Sequence, residues 1–107
     1  MQKQIEIEFK HNEIKLSGEL DFSNVMSILK QSLSKFNSMP EIYIDFSQLK
    51  SSDSSGLALI IEWLKYAMSQ KKYIQFNHLS QDLQSIVKVS GLESLIFSDT
   101  NKRRKPE

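Results

Sequence analysis

The sequence predicts an α/β domain, a mixed sheet of four to five strands packed with helices, and three features carry that expectation. Short runs alternate apolar and polar residues with the period of half-buried strands. Between them lie longer runs whose apolar residues recur at helical spacing. The two kinds of segment follow one another along 107 residues, a length that supports one core rather than two.

Residues 4–9 (QIEIEF) and 13–18 (EIKLSG) alternate on either side of His11 and Asn12, which reads as a hairpin. Gly18 ends that pattern. After Ser23 the residues Val25, Leu29, Leu33 and Phe36 mark a first helix over 23–36. Pro40 punctuates, and EIYIDF places Ile42, Ile44 and Phe46 on one face of a third strand. A second helix over 54–70 gathers Leu57, Ile60, Ile61, Leu64 and Met68 on one side, with Asp53 or Ser54 placed to cap it. YIQFNHL makes a fourth strand. Ser80 caps a third helix carrying Leu83, Ile86 and Val87, Gly91 suits its C-terminal end, and the apolar run Leu95 to Phe97 closes the domain. Strands three and four, joined by a single helix, are expected to be parallel neighbours.

Composition narrows the chemistry. With 14 Lys plus Arg against 13 Asp plus Glu the net charge is +1, and cysteine is absent, which excludes disulfides, thiol catalysis and Cys-based zinc sites. Two histidines distant in sequence make no metal motif, so neither a metal nor a cofactor is expected. No run approaches the roughly 20 apolar residues of a membrane span, and the alternating, charged N-terminus lacks the apolar core of a signal peptide. A soluble cytoplasmic protein is expected. Residues 101–107 (NKRRKPE) hold four basic side chains and one acidic, leaving ten basic against twelve acidic over residues 1–100. The expected organisation is a domain over 1–100 and a disordered basic tail over 101–107, solvated rather than bound to nucleic acid.

The segment SQLKSSDSSG runs from the carboxyl end of the third strand into the second helix, where open α/β sheets place their binding sites. Free backbone N–H groups and the positive end of the helix dipole favour an anion there. Ser54 stands at the mouth of the helix as an ordinary cap or as a functional hydroxyl. A hydrolase nucleophile would need a G-x-S-x-G elbow, whereas Lys50 to Leu57 reads KSSDSSGL, and a triad would have to recruit His11 or His78 from strand-linked positions. The nucleotide-binding pattern GxxxxGK[ST] is absent. Asp53 has no second carboxylate beside it to share a cation, so capping or hydroxyl orientation is its expected role.

The stretches LSGELDF, IDFSQLKSSDSSGLALIIEWLKYAMSQKK and IQFNHLSQDLQSIVKVSGLESLIF resemble a STAS domain, the fold of anti-sigma factor antagonists, over roughly residues 13–97. Asp45-Phe46-Ser47, Asp53-Ser54-Ser55-Gly56-Leu57 and Ser90-Gly91-Leu92 carry the likeness. In the antagonists the serine after the loop aspartate is phosphorylated by a partner kinase, which carries onto Ser54, with Asp53, Ser55 and Gly56 supporting it. The run from Gly56 to Trp63, GLALIIEW, is more similar to the MlaB-like subfamily, the STAS subunits of Mla phospholipid ABC transporters in the Gram-negative inner membrane. Some of those subunits have Thr-Gly where this chain has Ser54-Ser55, so the loop is also compatible with an antagonist. The resemblance implies a non-enzymatic protein without cofactors, cytoplasmic and peripheral to the inner membrane. Its implied partner is the ABC transporter ATPase subunit, or alternatively an anti-sigma factor serine kinase.

Helix geometry adds a second expectation about that partner. At about 100° per residue, Leu59, Trp63 and Tyr66 fall roughly 180–240° from Leu57, behind the serine loop and on the side where Ser55 also falls. A helix apolar on both sides is either sandwiched in its own domain or docked on another molecule. These three residues are expected to face the partner or a second copy in a homodimer. The alternative is cover from the tail or an edge helix.

Overall fold

Residues 5–98, the part of the chain that the computed structural model describes, begin with the expected hairpin. Strands β1 (Ile5–Lys10) and β2 (Glu13–Leu20) pair antiparallel, turning at His11, whose φ of 53° is left-handed. Helix α1 (Val25–Phe36) follows a loop tied by side chains: Asp21 Oδ1 accepts from the Ser23 N–H and hydroxyl, and Asn24 Oδ1 from the Asp21 N–H. Then come β3 (Glu41–Ser52), α2 (Ser55–Gln70), β4 (Tyr73–Asn77), α3 (Gln81–Ser90) and a π-helical turn, Ser94–Ser98. The sheet order is β1-β2-β3-β4, with β3 parallel to both β2 and β4, so four strands form a mixed sheet. The boundary expected at residue 100 and the tail 101–107 lie outside the described residues.

Alternation fixes the two faces of the sheet. Ile14 and Leu16 of β2, Ile42, Ile44 and Phe46 of β3, and Ile74 and Phe76 of β4 are buried on one side. Their neighbours Glu13, Lys15, Tyr43 and Gln75 fall on the other and keep partial access to water. The Trp63 ring of α2 lies against Phe46 and Phe76, so α2 covers the apolar face. Lys35 of α1 sits over the ring of Phe9, which pairs with Ile14, so α1 covers the same face nearer β1.

One segment departs from its expected form. Ser47–Ser52, expected as loop, continues β3 alongside β2 through register shifts between Lys15 and Ser17 and between Gly18 and Glu19. Those irregularities let a polar run without clean alternation stay in the ladder, with Leu49 half-buried against the core. Residues 53–54 alone then separate β3 from α2.

The buried face of α2 also differs from expectation. Gly56, Leu59, Ile60, Trp63, Leu64 and Ala67 are buried, whereas Met68, expected in the core, is 62% exposed and Leu57 and Ile61 are half-buried. The apolar arc is wide because α2 touches the sheet on one flank and α1 and α3 on the others. Trp63 is fully enclosed: its Nε1 donates to Ser32 Oγ of α1 at 2.8 Å, and Phe36 of α1 completes the ring cluster. Leu59 and Trp63, at 1% and 0% exposure, therefore cannot face a partner. Tyr66, half-buried, packs on Phe36 and donates to Asn37 Oδ1, so α1 holds it too. The domain itself covers this side of the helix.

Candidate functional site

The carboxyl ends of β2 and β3 (Leu20 pairs with Ser52) bring Asp53 and Ser54 to the amino end of α2. Asp53 caps the helix: its Oδ1 accepts from the Ser55 N–H at 2.8 Å and from the Ser55 hydroxyl, and its carbonyl accepts from the Gly56 N–H. Ser54 has helical dihedrals (φ −65°, ψ −9°) and makes no side-chain cap hydrogen bond. The expectation of a cap at Asp53 or Ser54 resolves to Asp53. The Ser54 hydroxyl, on an exposed residue, has no hydrogen-bond partner among the described residues and is presented outward.

Ser55 is fully buried, its hydroxyl turned back to Asp53, so it orients the loop. Gly56 is required by space. A Cβ built there would lie 2.2 Å from Ser52 Oγ and 3.1 Å from Leu83 Cδ1, because the first turns of α2 and α3 meet at this point. Ser52 Oγ is itself committed to the Asp53 carbonyl at 2.9 Å. Together Ser52, Asp53, Ser55 and Gly56 form a rigid mount that leaves one hydroxyl free.

Between α2 and α3, with Leu57 of the first turn of α2 in its wall, lies an open groove of about 370 Å³ lined also by Ser85, Ile86, Val89 and Ser90. Ser54, Leu57 and Ile61 share one side of α2 by helical spacing, so the groove continues the Ser54 surface. Val89 is 88% exposed. Helix α3 holds its position through Ser80, whose Oγ accepts from the Leu83 N–H at 3.1 Å, and Gly91, whose φ of 82° ends it. The helical spacing does not reveal this surface: it places Leu57 in the core stripe, whereas the residue is half-buried in the wall of the groove. The signal lies in the closely spaced apolar residues Ile86, Val87 and Val89 on a ten-residue helix, more than one buried stripe can absorb.

The structure does not bring a histidine to Ser54. His11 lies in the β1–β2 turn, at the opposite end of β2, and His78 follows Asn77, which pairs with Asp45, well short of Ser52. Among the described residues no three His, Asp or Glu side chains group as metal ligands, and no helix is long and apolar enough to cross a membrane. What the arrangement can do is bind: a fixed, outward hydroxyl at a helix amino end beside an apolar groove suits a protein contact that a charge on Ser54 would alter.

A family model described as "Mlab, STAS domain" matches residues 4–97. The fold is similar to the anti-sigma factor antagonist SpoIIAA in its unphosphorylated form, with a TM-score of 0.69 and 20% identity over 97% of this chain and 100% of that one. It is similar also to the phosphorylated form of SpoIIAA, the Bacillus cell fate determinant (TM-score 0.66, 20% identity, 95% and 100% covered). A putative anti-sigma factor antagonist from Thermotoga maritima gives 0.71 at 16% identity, covering 87% and 83%. No curated protein matches by sequence.

Proposed function

This chain belongs to the MlaB-type STAS domain family, and from that premise we propose that it is the non-enzymatic STAS subunit of an Mla-type phospholipid ABC transporter. In this reading it docks on the transporter's cytoplasmic ATPase and supports that subunit in maintaining outer-membrane lipid asymmetry. It resides at the inner membrane of a Gram-negative bacterium through that complex. The carrying observation is the free Ser54 hydroxyl standing on a rigid mount beside the exposed Leu57–Ile86–Val89 groove. That groove, rather than Leu59 and Trp63, is the partner surface.

A second reading rests on the same hydroxyl. Ser54 directly follows the capping Asp53 and is open to a kinase, and the structural neighbours include an antagonist described in phosphorylated and unphosphorylated forms. In that reading the partner is an anti-sigma factor serine kinase and phosphate on Ser54 is the switch. Affinity purification of the tagged chain from native membranes, with identification of the captured ATPase, separates the two. An ABC ATPase with its permease supports the first reading, and a histidine-kinase-like ATPase the second.

A further inference from the structure

The outer edge of β1 offers a surface unrelated to the Ser54 loop. Sheet order places β1 at one end, so among the described residues no strand pairs with its outer side. It pairs with β2 without a bulge over all six residues and contains no proline, two of the devices by which edge strands avoid self-pairing. Ile5, Ile7 and Phe9 are only half-buried, as are Leu29 and Leu33 of α1, so an apolar seam reaches the edge.

The charges on β1 pair without a like-charge clash in one register. Glu6, Glu8 and Lys10 share the open face of the sheet. If a second copy pairs antiparallel with the two-fold axis at Phe9, Phe9 meets its own equivalent and Glu8 lies opposite Lys10 twice. Centred at Ile7, the same strand would set Glu6 against Glu8 twice, and centred at Glu8 it would pair Glu6 with Lys10 twice but set Glu8 against itself at the axis. Of these registers the one about Phe9 is the one with no like-charge pair, so mixed charge on this edge favours it instead of blocking all of them.

We propose that β1 is a reversible homodimer edge, two copies joining their sheets through residues 8–10 about Phe9. The surface is small, so the dissociation constant is expected on the order of 100 µM. β1 lies across the sheet from β4, which leaves the α2–α3 groove free in the dimer.

The test uses sedimentation equilibrium of the full chain up to about 1 mM, with Glu8→Lys and Lys10→Glu. Each variant alone creates two like-charge pairs and is expected to weaken self-association about 10-fold or more. Mixed together, one chain presents two lysines to two glutamates of the other, and heterodimers are expected at or above parental affinity. Both positions are exposed, and matched thermal melts confirm that each variant folds. A parent that stays monomeric at the highest concentration overturns the proposal. So does a dimer indifferent to both substitutions, or a mixture that associates no better than either variant alone.

Discussion

Replacing Trp63 by alanine separates a core residue from a docking residue. The indole is fully buried, stacked near Phe76 with centroids at 6.4 Å and flanked by Phe36 and Phe46 at 6.4 and 6.3 Å, and its Nε1–H is committed to Ser32 Oγ. Truncation removes the ring from the junction of sheet, α1 and α2 and leaves the buried Ser32 hydroxyl with only its bond to the Leu29 carbonyl, a change that costs about 3–5 kcal/mol. For a domain of this size each kcal/mol lowers Tm by roughly 4–8 °C, so a fall of about 12 °C or more is expected, with a matching loss in urea midpoint. Trp63→Phe keeps most of the apolar volume and isolates the hydrogen bond, with an expected cost of about 1–3 kcal/mol. Paired thermal and urea unfolding of the two variants reads both numbers. A Trp63→Ala protein within about 1 kcal/mol of the parent would refute the enclosure of this ring and return the residue to the surface.

Three further outcomes follow from the same geometry. Asp53→Ala is expected to cost about 0.5–2 kcal/mol and Ser54→Ala less than about 0.5, because only Asp53 caps α2; equal losses in urea unfolding would contradict this. Gly56→Ala is expected to destabilise by about 1–3 kcal/mol through its clash with Ser52 Oγ, and Ser52→Ala in the same chain to recover part of that loss, a coupling that a double-mutant cycle measures directly. Ser80→Ala, removing the α3 cap, is expected to cost about 0.5–2 kcal/mol, and the same unfolding series reads it.

The parts of the fold legible in the sequence are those where one physical signal has no rival. Alternation in IEIEFK and EIKLSG identified the hairpin, and Ser80 and Gly91 bounded α3, because in each case side-chain pattern and backbone demand agree. Helix α2 was legible as a helix but not in its orientation. Leu57, Ile61 and Met68 on one side and Leu59, Trp63 and Tyr66 on the other are equally apolar, and the true centre of burial falls between them, over Gly56, Ile60 and Ala67. What decides it is Ser32, distant in sequence, which supplies the indole with its hydrogen-bond acceptor. The extension of β3 through Ser52 depends on two register shifts that leave no periodic trace. The loop residues Asp53, Ser54, Ser55 and Gly56 were found by their resemblance and position. Which carboxylate or hydroxyl caps, and which serine stays free, is settled by backbone dihedrals that short-range sequence does not specify.

Whether Ser54 and the α2–α3 groove form the partner surface is read from binding of the purified partner ATPase to Val89→Asp, measured beside the parent chain. Val89 is 88% exposed, so the substitution is expected to leave Tm unchanged while placing a charge in the apolar contact. Binding is expected to weaken by about 30-fold or more, equivalent to about 2 kcal/mol. Unchanged affinity in a normally folded Val89→Asp chain would place the partner elsewhere on the domain.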